Sequence, residues 1–141
     1  MNRYVIDASV AVKWYSRANE EESAKADRLL DLYGQGDVDL VAPSLICYEL
    51  GNALRYNPNF SVQDVKRAMG DFLQLQIVLE PPAGHLDSAI DLAFRYSLTV
   101  YDAVYAAVSS SLGIPLITAD YKFCAKLKDL PLIAALKDFI L

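Results

Sequence analysis

The sequence predicts an α/β fold, a mostly parallel central sheet covered by helices on both faces. Two observations carry this expectation: short apolar runs alternate along the chain with stretches whose apolar residues recur at helical spacing, and the connections between them are short. A third places the function. Isolated acids stand where apolar runs give way to turns or to first helical turns, and in an open α/β sheet ligands bind beyond the carboxyl ends of the strands. At 141 residues, with no internal repeat, low-complexity tract or linker, residues 1–141 are expected to form a single domain.

Arg3 to Asp7 reads as a short buried strand that leads directly into a helical pattern over Ser9 to Tyr15. Glu20 to Tyr33 carries a stripe at Ala26, Leu29, Leu30 and Tyr33, and Gly34 and Gly36 mark its end. Asp39 to Ala42 is a second strand, followed by Pro43 and by Ser44, the expected N-cap of a helix running to about Tyr56. After the break at Asn57-Pro58-Asn59-Phe60, Ser61 and Asp64 have the spacing of a capping box, and the helix they open is expected to bury Val62, Val65, Met69, Phe72 and Leu73. Gln76 to Glu80 reads as a strand stopped by Pro81-Pro82, and Leu86, Ala89, Ile90, Ala93 and Phe94 form the next stripe. Tyr101 to Leu112 is helical up to Gly113, Pro115 to Thr118 is a strand, Tyr121 to Leu127 a short helix, and Leu132 to Leu141 a closing segment.

Hydrophobic residues make up 54% of the chain, as in a well-packed globular protein, and no run approaches the ~18 apolar residues a membrane span needs. Asp7 interrupts the first apolar run, so no secretion signal is read at the N-terminus, and the protein is expected to be soluble and cytoplasmic. Cys47 and Cys124 have neither zinc-site spacing nor a neighbouring His, and read as unpaired thiols in or near the core. A net charge of −5 argues against broad, tight, non-specific nucleic-acid binding, although a bound cation would reverse the sign where a phosphate approaches.

Asp7, Glu49, Asp102 and Asp120 are the acids at these junctions. Each taken alone has a local explanation as a helix cap or a first-turn dipole partner. Together they fall at one rim, two leaving strands and two beginning helices, beside small or hydroxylic residues: Ala8-Ser9, Ser44, Thr99 and Thr118-Ala119. Gathered in one pocket they would repel one another unless a hard divalent cation held them, which points to metal-dependent chemistry on phosphate.

The segments Val5-Ile6-Asp7-Ala8-Ser9, Glu49-Leu50-Gly51-Asn52-Ala53-Leu54, Tyr101-Asp102-Ala103-Val104-Tyr105-Ala106-Ala107 and Ile117-Thr118-Ala119-Asp120 resemble the PIN-domain ribonucleases, in particular the VapC-type toxins of prokaryotic toxin-antitoxin pairs. The resemblance covers nearly the whole chain in order and spacing. It implies a PIN-like three-layer α/β/α architecture and a metal-dependent endoribonuclease using Mg²⁺ or Mn²⁺, with the acidic quartet on Asp7, Glu49, Asp102 and Asp120. Ser9, Asn52 and Thr118 fall where that family often has polar supporting residues. The implied products are a 5′-phosphate and a 3′-hydroxyl. The implied partners are RNA, a cognate antitoxin that blocks the acidic pocket, and a second copy in a homodimer.

Asp120 stands open between metal ligand and cap of the helix at Tyr121, and the hydroxyls of Ser9 and Thr118 between binding a metal-bound water and satisfying nearby backbone amides. Asn52, one helical turn after Glu49, either holds that carboxylate or touches substrate. His85 reads as a surface residue, and Tyr33, Tyr48 and Tyr105 as packing residues. Lys13, Arg17 and Arg55 are candidate phosphate contacts, and Lys122, Lys126 and Lys128 a loose basic patch beside Asp120. An aspartate-nucleophile phosphatase would need a second Asp where Ser9 stands, and a receiver domain a Lys that Thr118-Ala119-Asp120 lacks. The standing alternative is a catalytically silent PIN-like module that binds RNA or protein.

Overall fold

A central strand is apolar where both its faces are buried, and β1 (Asn2–Ile6) runs from exposed Asn2 and Arg3 into Val5 and Ile6, both fully buried. In the computed structural model, which describes residues 1–16 and 20–141, β1 lies in the middle of a five-stranded sheet of order β3-β2-β1-β4-β5. β2 (Val38–Pro43) pairs with it in the register Tyr4 to Leu40 and Val5 to Val41, and β4 (Leu116–Thr118) on the other side with Val5 to Leu116. β3 (Val78–Glu80) and β5 (Ile133–Ala135) form the edges. Every pairing is parallel, where the sequence predicted a mostly parallel sheet.

Parallel neighbours need crossovers, and helices supply them. In chain order these are α1 (Ala8–Ala11), α2 (Glu20–Gln35), α3 (Ile46–Arg55), α4 (Val62–Gln74), α5 (Leu86–Tyr96), α6 (Val100–Leu112) and α7 (Tyr121–Lys126). α6 packs on β1 and β2, α5 packs on α6, α2 covers β2, and α3 packs against α1 and α4, giving three layers. The predicted capping box is present: Ser61 accepts from the Asp64 amide while the Asp64 carboxylate accepts from the Ser61 amide. Cys47 and Cys124 are free and partly buried. No helix among the described residues is long and apolar enough to cross a membrane.

Several expectations are corrected. α5 and α6 meet through Ala89, Ala93, Ala103 and Ala107, whose small side chains let the helices approach closely, so the bulkier Leu86, Ile90 and Phe94 lie off the contact line and Phe94 is 86% exposed. In α4 the buried line is Ala68 and Phe72, while Val62 sits in the first turn and Leu73 about 100° round from Phe72, and both are exposed. Ser44 does not cap α3, which begins at Ile46 after Leu45 with no side-chain cap. Tyr48 is 80% exposed on the outer side of that helix rather than packed. His85 is buried, not on the surface, because the turn at Gly84 (φ +89°) folds it inward, where its Nε2 lies 3.5 Å from Glu80 Oε2. The strand predicted from Gln76 starts only at Val78, since Gln76 adopts φ +55°.

Candidate active site

Asp7 follows the last residue of β1 and caps α1, so the strand fixes where its carboxylate can go. Oδ1 accepts from Ser9 Oγ at 2.5 Å and from the Val10 amide at 3.3 Å, and Oδ2 accepts from Thr118 Oγ1, which β4 delivers from the neighbouring strand. The two hydroxyls are doubly engaged: Ser9 Oγ accepts from the Ala119 amide at 2.8 Å and Thr118 Oγ1 from the Asp120 amide at 3.0 Å. Both therefore support backbone and also hold a site carboxylate. Asp7 is 7% exposed. Burial pushes its pKa up to about 6 against the pull of Ser9, Thr118 and Val10, and the Asp120 charge adds to the rise.

Glu49 lies in the first turn of α3 and Asp102 in the first turn of α6, where Thr99 caps the helix by accepting from the Asp102 amide at 3.1 Å. Tyr105, one turn further along α6, is 2% exposed and donates its hydroxyl to Glu49 Oε1 at 2.6 Å. Burial raises the Glu49 pKa, the Tyr105 bond opposes it, and the Asp102 charge adds to it. Asp102 is raised by burial and by Asp120, against the Thr99 hydrogen bond and the Lys126 charge. The Tyr105 phenol is pushed far above its usual range by burial and by the surrounding carboxylates, so it stays a donor. Asp120 caps α7, with Oδ1 accepting from the Phe123 amide at 3.1 Å.

Four separate segments thus converge on one cavity of about 150 Å³, lined by Asp7, Ala8, Ser9, Glu49, Asp102, Tyr105, Asp120 and Phe123. Among the described residues, no Lys, Arg or His is in that lining. Among the described residues no three acidic, His or Cys side chains close into a ready-made cage; the acids line the walls and leave space between them. An all-oxygen donor set of this kind, with the pKa values of Asp7, Glu49 and Asp102 raised by burial and by neighbouring carboxylates, fits a hard divalent cation that keeps some of its own waters.

Of the residues expected at the site, Asp7, Ser9, Glu49, Asp102 and Asp120 line the cavity, and Thr118 is fully buried behind it. Asp120 lines the cavity and also caps its helix. Asn52 is exposed and is not part of the lining. Tyr105 and Phe123 line the site without being expected there. Tyr105 has a signal in the sequence, because three residues after Asp102 on a helix it shares that acid's face. Lys13 is 3.3 Å from Glu22, the Arg55 guanidinium lies over the Tyr56 ring at 5.0 Å, and Lys126 donates to the Ser97 carbonyl at 3.0 Å. Lys122, Lys126 and Lys128 are exposed, and Arg17 lies outside the described residues.

The PIN domain family model matches residues 4–128. Exonuclease VapC9 of Pyrobaculum aerophilum is 35% identical over 91 residues, covering 60% of this chain and 64% of that protein. Ribonuclease VapC1 of Mycobacterium tuberculosis H37Rv is 29% identical over 89 residues, covering 60% and 65%. The matched region thus spans just under two thirds of these curated relatives. Among solved structures, PAE2754 from Pyrobaculum aerophilum superposes with a TM-score of 0.67 at 26% identity, covering 96% of this chain and 90% of that one. VapBC2 from Rickettsia felis, bound to a promoter DNA fragment, gives a TM-score of 0.68 at 13% identity, covering 94% and 98%. With the family model matched over most of its length and the five-stranded parallel sheet in place, the chain belongs to the PIN domain family.

Proposed function

We propose that residues 1–141 act as a single nuclease domain, a Mg²⁺- or Mn²⁺-dependent endoribonuclease that serves as the toxin of a VapBC-type pair. The observation that carries this reading is the convergence of Asp7, Glu49, Asp102 and Asp120 on one small cavity that, among the described residues, is lined by no basic side chain. Asp7, Glu49 and Asp102 would hold the cation, directly or through water, with Asp120 as the fourth acid. When bound, the cation supplies positive charge against the phosphate and makes a coordinated water more acidic. Ser9 and Thr118 keep the Asp7 carboxylate in one orientation. Asp120, with Oδ1 committed to its helix cap, has Oδ2 left to accept a proton from the attacking water. That water adds to phosphorus, the bond to the 3′ oxygen breaks, and the leaving oxygen takes a proton from solvent, giving a 5′-phosphate and a 3′-hydroxyl.

The relatives' names support nuclease action, one as an exonuclease and one as a ribonuclease. The name VapBC2 of the Rickettsia felis structure supports a cognate antitoxin as partner, one that would act by covering the acidic cavity. The exposed Leu86, Ile90 and Phe94 on α5 are the apolar surface we assign to a homodimer. The cytoplasm, where toxin, antitoxin and RNA would meet, is the proposed location.

The decisive experiment is a cleavage assay on structured, single-stranded and circular RNA with Mg²⁺, Mn²⁺ or EDTA, beside Asp102→Asn. Circular RNA is opened only by an internal cut. Metal-dependent linearisation that is lost in the variant is expected. RNA bound but left whole under every condition would replace the nuclease with a silent binding module.

A further inference from the structure

We propose that Tyr105 is a positioning residue for the cation site, its phenol fixing the Glu49 carboxylate for the cation; this rests on the metal-dependent reading above. The bond between Tyr105 Oη and Glu49 Oε1, at 2.6 Å, is in the range of a hydrogen bond to an ionised acceptor. Among the described residues it is the side-chain hydrogen bond that ties α3 to α6, the helices that carry Glu49 and Asp102. A Glu side chain has three torsions to order before it can serve as a ligand, and a buried donor on one oxygen restricts them while Oε2 accepts no hydrogen bond among the described residues. Tyr105 is itself anchored, since its ring is 2% exposed within the core. A packing residue at this position would need the ring alone. The hydroxyl aimed at a site carboxylate is what packing does not explain.

Removing a hydrogen-bonding partner of a metal-binding side chain commonly weakens metal affinity about 10- to 100-fold. Tyr105→Phe keeps the ring and removes only the hydroxyl. Mn²⁺ titration followed by the electron paramagnetic resonance of free Mn²⁺ would compare the parent, Tyr105→Phe, Glu49→Gln and the double variant, with melting in EDTA as the check on folding. The expected result is a Mn²⁺ dissociation constant raised about tenfold by Tyr105→Phe, and little further effect of that change once Glu49 is Gln. An unchanged dissociation constant in Tyr105→Phe, or the same loss with Glu49→Gln already present, overturns the positioning role and leaves the metal reading standing. A parent that binds no Mn²⁺ overturns both. In case Tyr105→Phe melts far below the parent, the parent alone supplies a second readout: the buried Tyr105 hydroxyl proton, followed by nuclear magnetic resonance and assigned through its displacement in Glu49→Gln, is expected to shift on Mg²⁺ addition. A resonance that Mg²⁺ does not move overturns the role.

Discussion

Asp7 accepts from three donors and yet its pKa rises to about 6, because burial outweighs them. A carboxyl whose folded-state pKa is raised stabilises the fold fully below its unfolded value of 3.8, and that contribution is lost as pH climbs to about 6. A rise from 3.8 to about 6 corresponds to roughly 3 kcal/mol. In EDTA, the parent should therefore lose stability between pH 4 and pH 7, and Asp7→Asn should show a shallower loss across the same interval in urea melts, while being inactive on RNA. Equal slopes for the two proteins would place the pH dependence on other groups. Thr118→Val takes away the hydroxyl on Asp7 Oδ2 and strands the Asp120 amide, and should cost about 1–3 kcal/mol in the same melts. The four acids are legible in the sequence because each interrupts or follows an apolar run. Tyr105 reads as packing since a Tyr on a helical face usually is one. His85 reads as a surface residue because only the turn at Gly84 brings it inward, and no pattern in neighbouring residues encodes that.

At the scale of elements, strands are the easiest to read: buried parallel strands are short apolar runs, and β1, β2 and β4 are that. β5 is not legible, because Ile133-Ala134-Ala135 offers a single β-branched residue and no alternation. Helices are located well and their buried faces less well, since alanine-mediated packing between α5 and α6 hides its contact line behind larger neighbours. Two helix ends carry measurable energy. Ser61→Ala should destabilise by about 1 kcal/mol through loss of the capping box. Ser97 ends α5 in the left-handed region at φ +55°, so Ser97→Gly should raise stability by up to about 1 kcal/mol, read as a higher denaturation midpoint with unchanged slope. A lower midpoint would mean that the Ser97 side chain contributes more than its backbone strain costs.

For the whole molecule, self-repulsion among the acids and relief by a cation are two sides of one balance of charge. A ligand at 100 times its dissociation constant stabilises the folded state by about 2.7 kcal/mol. For a chain of this size that corresponds to roughly 5–10 °C in Tm. Saturating Mg²⁺ or Mn²⁺ should produce such a rise in the parent and EDTA should reverse it, whereas Asp102→Asn should respond weakly; no rise in the parent would remove the cation from the proposal. Net charge, which argues against a nucleic-acid partner when read from composition, is partly the site itself, as four of the acids line one cavity.

The place of β1 in the sheet also bears on synthesis. Of these five strands, the first to leave the ribosome is the middle one, flanked by β2 and by β4, whose first residue is Leu116. Until that late segment emerges, β1 has one open edge, Asp7 lacks its Thr118 partner, and Asp120 has not been made. A nascent chain would therefore expose an unpaired strand edge while its acidic cavity is still unassembled, and the edge would be covered when β4 docks.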